Sequence, residues 1–120
     1  IEYTGNFLKD VEFSKSTEIT RCIVTGGSIV SIRSMVAAKS GIQLRETSPC
    51  ILRSELDVLL DTVADMTLAE RHQIPGLPKA RADIFPTAIA TLIGVADHLA
   101  VSEFNHSFFN LRFGIADELL

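Results

Sequence analysis

The protein has 120 residues, 47% of them hydrophobic, and a formal net charge of −4 at pH 7. This length suits one domain, and the scattered arginines exclude the basic stripe of a nucleic-acid-binding surface. The two cysteines have neither metal-binding nor redox spacing, so we expect reduced thiols and a cytoplasmic protein. We also expect no signal peptide and no membrane span. The apolar content, high for so short a chain, suggests a piece of a larger protein.

The first half of the chain predicts a strand followed by a helix. Residues 1–17 are polar and ambiguous, and Phe7, Leu8, Val11 and Phe13 among them would line a short helix or a loop. The expected elements then follow in order: a buried β-branched strand over Ile19–Val24, a Gly-Gly turn over Thr25–Ser28, a helix over Ile29–Lys39 that Gly41 ends, and a connector over 40–53.

The second half is predominantly helical, with one strand near its end. Its expected elements are a helix capped by Ser54 and ending near Asp65, a short helix opened by the Thr67–Glu70 capping box and ended by Pro75-Gly76, a long apolar helix with Pro86 in its first turn, a strand over Glu103–Phe108 and a last helix over Leu111–Leu120. This order indicates an α/β fold with a helical excess.

Three segments are candidates for chemistry. In the first, Thr25-Gly26-Gly27-Ser28, glycine allows close approach of a ligand, and the following helix offers free N–H groups to an anion. A simple strand-to-helix turn explains the same glycines. In the second, Arg81 would grip a phosphate with two hydrogen bonds, or pair locally with Asp83, which would cap the long helix. In the third, Arg112 and Gly114 open the last helix, where glycine indicates close packing.

The other titratable residues favour structural roles. The histidines share no metal-binding spacing, and a solvated or hydrogen-bonded imidazole suits each of them. A row of carboxylates on one predicted helix is most simply explained as a solvated face; it consists of Glu55, Asp57, Asp61 and Asp65. No motif of nucleophilic catalysis is present.

Three runs of sequence together resemble the exopolyphosphatase/guanosine pentaphosphatase family. The run E-R-H-Q-I-P-G-L-P-K-A-R-A-D-I, from Glu70 to Ile84, is similar to the family signature E-R-x-x-(I/L)-P-G-L-x-x-x-R-A-D-(V/I). C-I-V-T-G-G-S resembles the family's strand and T-G-G-T turn, with Ser28 in the last place. N-L-R-F-G resembles its G-L-R-x-G, with Asn110 in place of glycine, and Thr87 is a further departure. The resemblance covers roughly residues 19–120.

The resemblance implies part of an actin-like fold of the sugar kinase/heat-shock 70 and ribonuclease H-like type. The chain would be a single domain over 1–120, the C-terminal portion of the second actin-like domain. The implied activity removes a terminal phosphate from polyphosphate or guanosine pentaphosphate, with magnesium or another divalent cation. Thr25, Gly26, Gly27, Ser28 and Arg81 would face the phosphates. The general base would lie upstream, as would the D-x-G-G-G-S-T-E loop, so this chain alone is expected to be inactive and to hold no metal motif.

The implied partners are the phosphorylated substrate, the missing first actin-like domain and a possible second copy of the chain. A different class of function stays open beside the hydrolase, namely a non-catalytic regulator that binds a nucleotide or alarmone in the same cleft. A third possibility is that the domain folds and binds nothing.

Overall fold

The computed structural model describes residues 1–9 and 19–119, with only the helical backbone described for 7–9. Val11 and Phe13 lie outside the described residues. The helices are α1 (Glu2–Lys9), α2 (Gly27–Ser40), α3 (Arg53–Ala64), α4 (Leu68–His72), α5 (Phe85–Leu99) and α6 (Leu111–Leu119), and the strands are β1 (Ile23–Val24), β2 (Cys50–Leu52) and β3 (Glu103–His106). Short 3-10 turns occupy Leu44–Glu46 and Lys79–Arg81. The predicted α/β class with a helical excess is confirmed.

The strands form a small mixed sheet in the order β1-β3-β2. β1 runs parallel to β3, pairing Val24 with His106, and β2 runs antiparallel to β3, pairing Ile51 with Phe104. The carboxyl ends of β1 and β3 therefore meet at one edge of the sheet. At that edge the N–H of Ser107 donates to the carbonyl of Val24 at 3.0 Å, so the chain after β3 lies beside the turn after β1.

Helix α5 forms the centre of the core, as its apolar sequence predicts. It packs against α1, α2 and α3, and Phe85, Ile89 and Ile93 on it are buried almost completely. The fully buried Leu56 and Val63 of α3 and Phe104 of β3 belong to the same cluster. Burying side chains of this size stabilises the fold by about 1.5–3 kcal/mol each.

The described part of the ambiguous N-terminal segment forms helix α1 (Glu2–Lys9), which packs closely on α5. A Cβ built on Gly94 would lie 2.8 Å from the Cβ of Thr4 and 3.3 Å from the carbonyl oxygen of Ile1. A larger residue at position 94 would therefore separate the two helices. Glycine in the middle of α5 is explained by this approach.

The Pro75-Gly76 turn packs against the backbone of α2. Gly76 has a positive φ of 87°, and a Cβ there would overlap the carbonyl oxygen of Ser34 and lie 2.9 Å from the Cα of Met35. The neighbouring Leu77 is buried. Two requirements, a left-handed conformation and close contact with a helix backbone, thus select glycine at position 76.

Several predicted boundaries differ from those in the structure. The first strand is limited to Ile23–Val24, so Cys22 precedes it and is only half-buried. The last strand ends at His106. The connector over 40–53 contains β2, whose three residues are too few to show a period. Helix α3 begins at Arg53, with Leu52 in the capping position instead of Ser54.

Two predicted ends of helices are confirmed. Gly41 ends α2 in a left-handed conformation with φ of 66°. At α4, the hydroxyl of Thr67 accepts from the N–H of Glu70 at 3.2 Å, and the Glu70 carboxylate accepts from the N–H of Thr67 at 2.7 Å. This reciprocal pair is the predicted capping box.

The contact of Gly76 with α2 predicts a stability difference between two glycine substitutions. Gly41→Ala should cost about 1–2 kcal/mol, because its φ is positive but a Cβ there meets nothing within 4 Å. Gly76→Ala should cost about 3 kcal/mol or more, since it adds backbone overlap to the same strain. Urea unfolding of both variants measures the difference, and equal costs would contradict the close contact.

Candidate functional site

The Thr25–Ser28 turn lies where the carboxyl ends of β1 and β3 meet. Gly26 has φ of 109° and precedes the first residue of α2, Gly27. No side chain caps this helix, and its first turn contains no acidic residue. Ser28, expected to face the phosphates, lies in the first turn of α2 and does not cap the helix. The first N–H groups of a helix have no partner within the helix, so this end favours an anion.

Arg81 lies directly against Gly27. A Cβ built on Gly27 would overlap the guanidinium carbon and Nη2 of Arg81 and lie 2.7 Å from its Nη1. The glycine and the arginine come from separate sequence motifs, and the fold brings them together. No side chain larger than hydrogen fits at position 27 while Arg81 keeps this position.

The local pairing that competed with a ligand role for Arg81 is absent from the structure. The ion pairs within residues 1–9 and 19–119 are both made by Arg53, with Asp57 and Asp97. Asp83 does not cap α5 in the expected way, because the helix begins at Phe85 and the Asp83 carboxylate accepts from the N–H of the next residue, Ile84. Arg81 is half-buried. Its guanidinium lies at the positive end of a helix, and no carboxylate among the described residues pairs with it.

The third candidate segment differs from its prediction. Helix α6 is exposed along its length, with Leu111 at 78% and Phe113 at 54% exposure. A Cβ on Gly114 would meet nothing within 4 Å among the described residues, so the predicted close packing of this glycine is wrong. The Asn110 side chain accepts from the N–H of Arg112 at 3.0 Å and opens the helix.

Of the four carboxylates expected on a solvated face, Glu55 and Asp57 bond to protein groups, whereas Asp61 and Asp65 are exposed as expected. Asp57 pairs with Arg53, which also binds Asp97 of α5 with Nη2–Oδ2 at 3.0 Å. Glu55 accepts from the N–H of Leu52 at 2.7 Å. Arg53 adjoins Ser102, at the start of β3, and so lies at the sheet edge opposite the Thr25–Ser28 turn.

A buried arginine beside the sheet was not predicted from the sequence. Arg33 of α2 is 4% exposed, and its Nε donates to the hydroxyl of Thr47 at 2.8 Å. Its Nη2 donates to the carbonyls of Thr47 at 2.8 Å and Leu44 at 3.2 Å. Its Nη1 lies 2.8 Å from the Nδ1 of His106, and the guanidinium covers the ring of Phe108, 5.0 Å from the centroid. All these partners are neutral.

His106 is the only ionisable partner that Arg33 contacts among the described residues. Since arginine has no acceptor, the Nδ1 of His106 must accept and carries no proton. Burial, followed by the charge of Arg33, lowers the pKa of His106. A neutral imidazole therefore completes the hydrogen bonds of Arg33. This agrees with the prediction of a solvated or hydrogen-bonded role for the histidine.

The lowered pKa of His106 predicts that the fold loses stability in acid. The unfolded imidazole takes up a proton near pH 6.5, while the folded one resists it, so the free energy of unfolding should fall as the pH drops from about 7 to 5. His106→Asn keeps an acceptor for Arg33 without a titrating group and should flatten this slope. Urea midpoints across the pH range measure it, and an unchanged slope in the variant would exclude His106 as its cause.

A cavity of about 520 Å³ lies apart from the Thr25–Ser28 turn, between α2, β2 and α3. Its lining is mainly apolar and includes Ile32, Met35, Ile51, Leu56, Leu59 and Ile74. None of the predicted phosphate-binding residues contributes to it. The lining also includes Lys39 and Arg33, but the guanidinium of Arg33 already bonds to protein groups. The cavity is therefore a mainly apolar space and is separate from the contact of Arg81 with Gly27.

Within residues 1–9 and 19–119, no group of three or more His, Cys, Asp or Glu side chains is placed to hold a metal ion. In the same part of the chain, no helix has the length and apolar character needed to cross a membrane.

Comparison with known proteins finds similarity in fold but not in sequence. No protein-family model matches the sequence, and no curated protein matches it significantly. Solved structures match in fold. The type II variant of the Ppx/GppA phosphatase of Aquifex aeolicus aligns with a TM-score of 0.79 at 16% identity, covering 99% of this chain and 39% of that one.

Two further structures give the same result. Another structure of the Aquifex aeolicus Ppx/GppA family member aligns with a TM-score of 0.77 at 15% identity, over 98% of this chain and 38% of that chain. An exopolyphosphatase from Cytophaga hutchinsonii aligns with a TM-score of 0.77 at 18% identity, over 98% of this chain and 40% of its own. The chain thus spans about two fifths of the length of these proteins. The actin-like fold implied by the sequence motifs is confirmed.

Proposed function

We propose that this chain is the phosphate-holding part of a Ppx/GppA-type phosphohydrolase, whose general base lies outside it. The contact of Arg81 with Gly27 at the start of α2 carries this proposal. The fold is that of proteins described as Ppx/GppA phosphatases and an exopolyphosphatase. The substrate would be a polyphosphate or guanosine pentaphosphate, as the resemblance implies.

The electrostatics of this contact favour an anion. A guanidinium and the positive end of a helix repel each other, and no acidic side chain in the first turn of α2 offsets this repulsion. A phosphate placed between them would accept hydrogen bonds from both. The chain carries a net charge of −4, so such a local basic site is what would hold a polyanion against the overall repulsion.

The described residues would supply only the phosphate-binding part of the proposed reaction. Arg81 and the first N–H groups of α2 would neutralise and orient the phosphate chain, which is most of what a protein contributes to phosphoryl transfer. The divalent cation implied by the resemblance has no cluster of ligands among the described residues, so we assign it none here. Attack by water would need the general base from elsewhere in the longer protein.

Removal of the Arg81 guanidinium tests the binding role. Arg81→Met should weaken binding of tripolyphosphate by about 10- to 150-fold, the value of a charged hydrogen bond of about 1.5–3 kcal/mol. Gly27→Ala should weaken binding too, because the new Cβ displaces the guanidinium. It should leave stability within about 1 kcal/mol, since only the end of a flexible side chain must move and alanine favours the helix.

Titration calorimetry measures these affinities, and Arg53→Met is the matched control. It removes the same charge at the opposite edge of the sheet and should bind as the unaltered chain does. Equal affinity for Arg81→Met and the unaltered chain would contradict the proposed site. An absence of binding at millimolar tripolyphosphate would favour the view that the domain binds nothing by itself.

Phosphate release from long-chain polyphosphate with magnesium tests the hydrolytic part of the proposal. Release by a longer protein that includes an upstream actin-like domain, but not by this chain, would support it. Release by this chain alone would mean that the general base lies within it. Binding of guanosine pentaphosphate without release by the longer protein would favour the regulator that only binds.

A further inference from the structure

The loop that carries Arg81 depends on the chain around it for its position. Arg81 ends a 3-10 turn of only three residues, Lys79–Arg81. Ala82, the next residue, is fully buried, and α5 begins shortly afterwards at Phe85. The backbone at Arg81 is therefore joined directly to the peptide groups of Ala82 and Asp83, and a shift of those groups would move it.

Arg71 of α4 holds these two peptide groups. Its Nη1 donates to the carbonyl oxygen of Ala82 at 2.9 Å and to that of Asp83 at 3.2 Å. The Nε of Arg71 is buried without a hydrogen-bond partner among the described residues. The side-chain hydrogen bonds that the guanidinium makes in the described part of the chain go to these two carbonyls. Arg71 itself is fixed at the end of α4, which the Thr67–Glu70 capping box begins.

The sequence explains why the Ala82 carbonyl needs such a partner. A carbonyl at the start of a helical turn can accept from the N–H four residues later, and for Ala82 that residue is Pro86, which has no N–H. A fully buried carbonyl without a partner costs about 1–3 kcal/mol. The Nη1 of Arg71 takes the place of the missing donor and ties α4 to the loop in doing so.

We propose that Arg71 is a positioning residue for the anion site: it acts through the Ala82 and Asp83 carbonyls to hold the Arg81 guanidinium against Gly27, without binding the anion itself. The proposal rests on the proposed function only for the nature of the ligand. It gives the two arginines of the segment 70–84 different tasks, since Arg71 bonds to the backbone and Arg81 faces the start of α2.

A double-mutant cycle with tripolyphosphate as the probe tests this positioning role. Arg71→Met should weaken binding by about three- to tenfold in the unaltered chain and leave it unchanged when Arg81→Met is already present. Arg71→Lys, which keeps a donor for one carbonyl, should recover part of the loss. An equal loss in both backgrounds would show a general effect of charge or stability and overturn the proposal, as would no loss in either.

A second measurement needs no ligand. The nuclear Overhauser effect between the Gly27 α-protons and the Arg81 side chain should vanish in folded Arg71→Met and persist in Arg53→Met. Its persistence in Arg71→Met would overturn the proposal even if the anion binds. Its loss, in a chain that fails to bind tripolyphosphate, would support the positioning role and reject the proposed function instead.

Discussion

Gly76 and Arg81 of the segment 70–84 both lie directly against helix α2, and the site depends on this docking. Gly76 meets the backbone of Ser34 and Met35 near the middle of the helix, and Arg81 meets Gly27 at its start. Between these points Leu77 and Ala82 are buried. Glycine allows a close approach at both points. At Gly76 two backbones meet, and at Gly27 the Arg81 guanidinium meets the backbone of α2, so these contacts set the positions of the segment and of the guanidinium.

Arg33 of α2 and Arg81, which contacts the start of α2, hold their charges in opposite environments. Arg33 is buried and satisfied by hydroxyl, carbonyl and imidazole acceptors, so it joins the chain over 44–47 to the end of β3. Arg81 is half-buried, and no carboxylate pairs with it among the described residues. The first arginine stabilises the sheet edge at which the second can meet a ligand. Removal of Arg33 would leave several buried acceptors unpaired.

The sequence predicted those parts of the fold that are set by local rules. The capping box at Thr67, the stop at Gly41 and the apolar helix α5 follow from residues close in the chain. Helix α1, strand β2 and the Arg33 network depend on contacts between distant residues, which no period reveals. The candidate site shows the same division. The sequence predicted Gly27 and Arg81 as phosphate-binding residues from separate motifs, but only the structure shows that they contact each other. The role of Arg71 in this contact had no sequence signal beyond its place in the family-like signature.

The two-point docking also restricts the length of the loop between Gly76 and Arg81. From Gly27 to Ser34, α2 advances by about 10 Å at 1.5 Å per residue. The segment from Gly76 to Arg81 must span a similar distance in the reverse direction, and its last residues are already wound into a 3-10 turn. Surface loops commonly tolerate insertions, but here one added or deleted residue would move the guanidinium away from Gly27. In this segment, natural variation would therefore take the form of substitution and leave the number of residues unchanged.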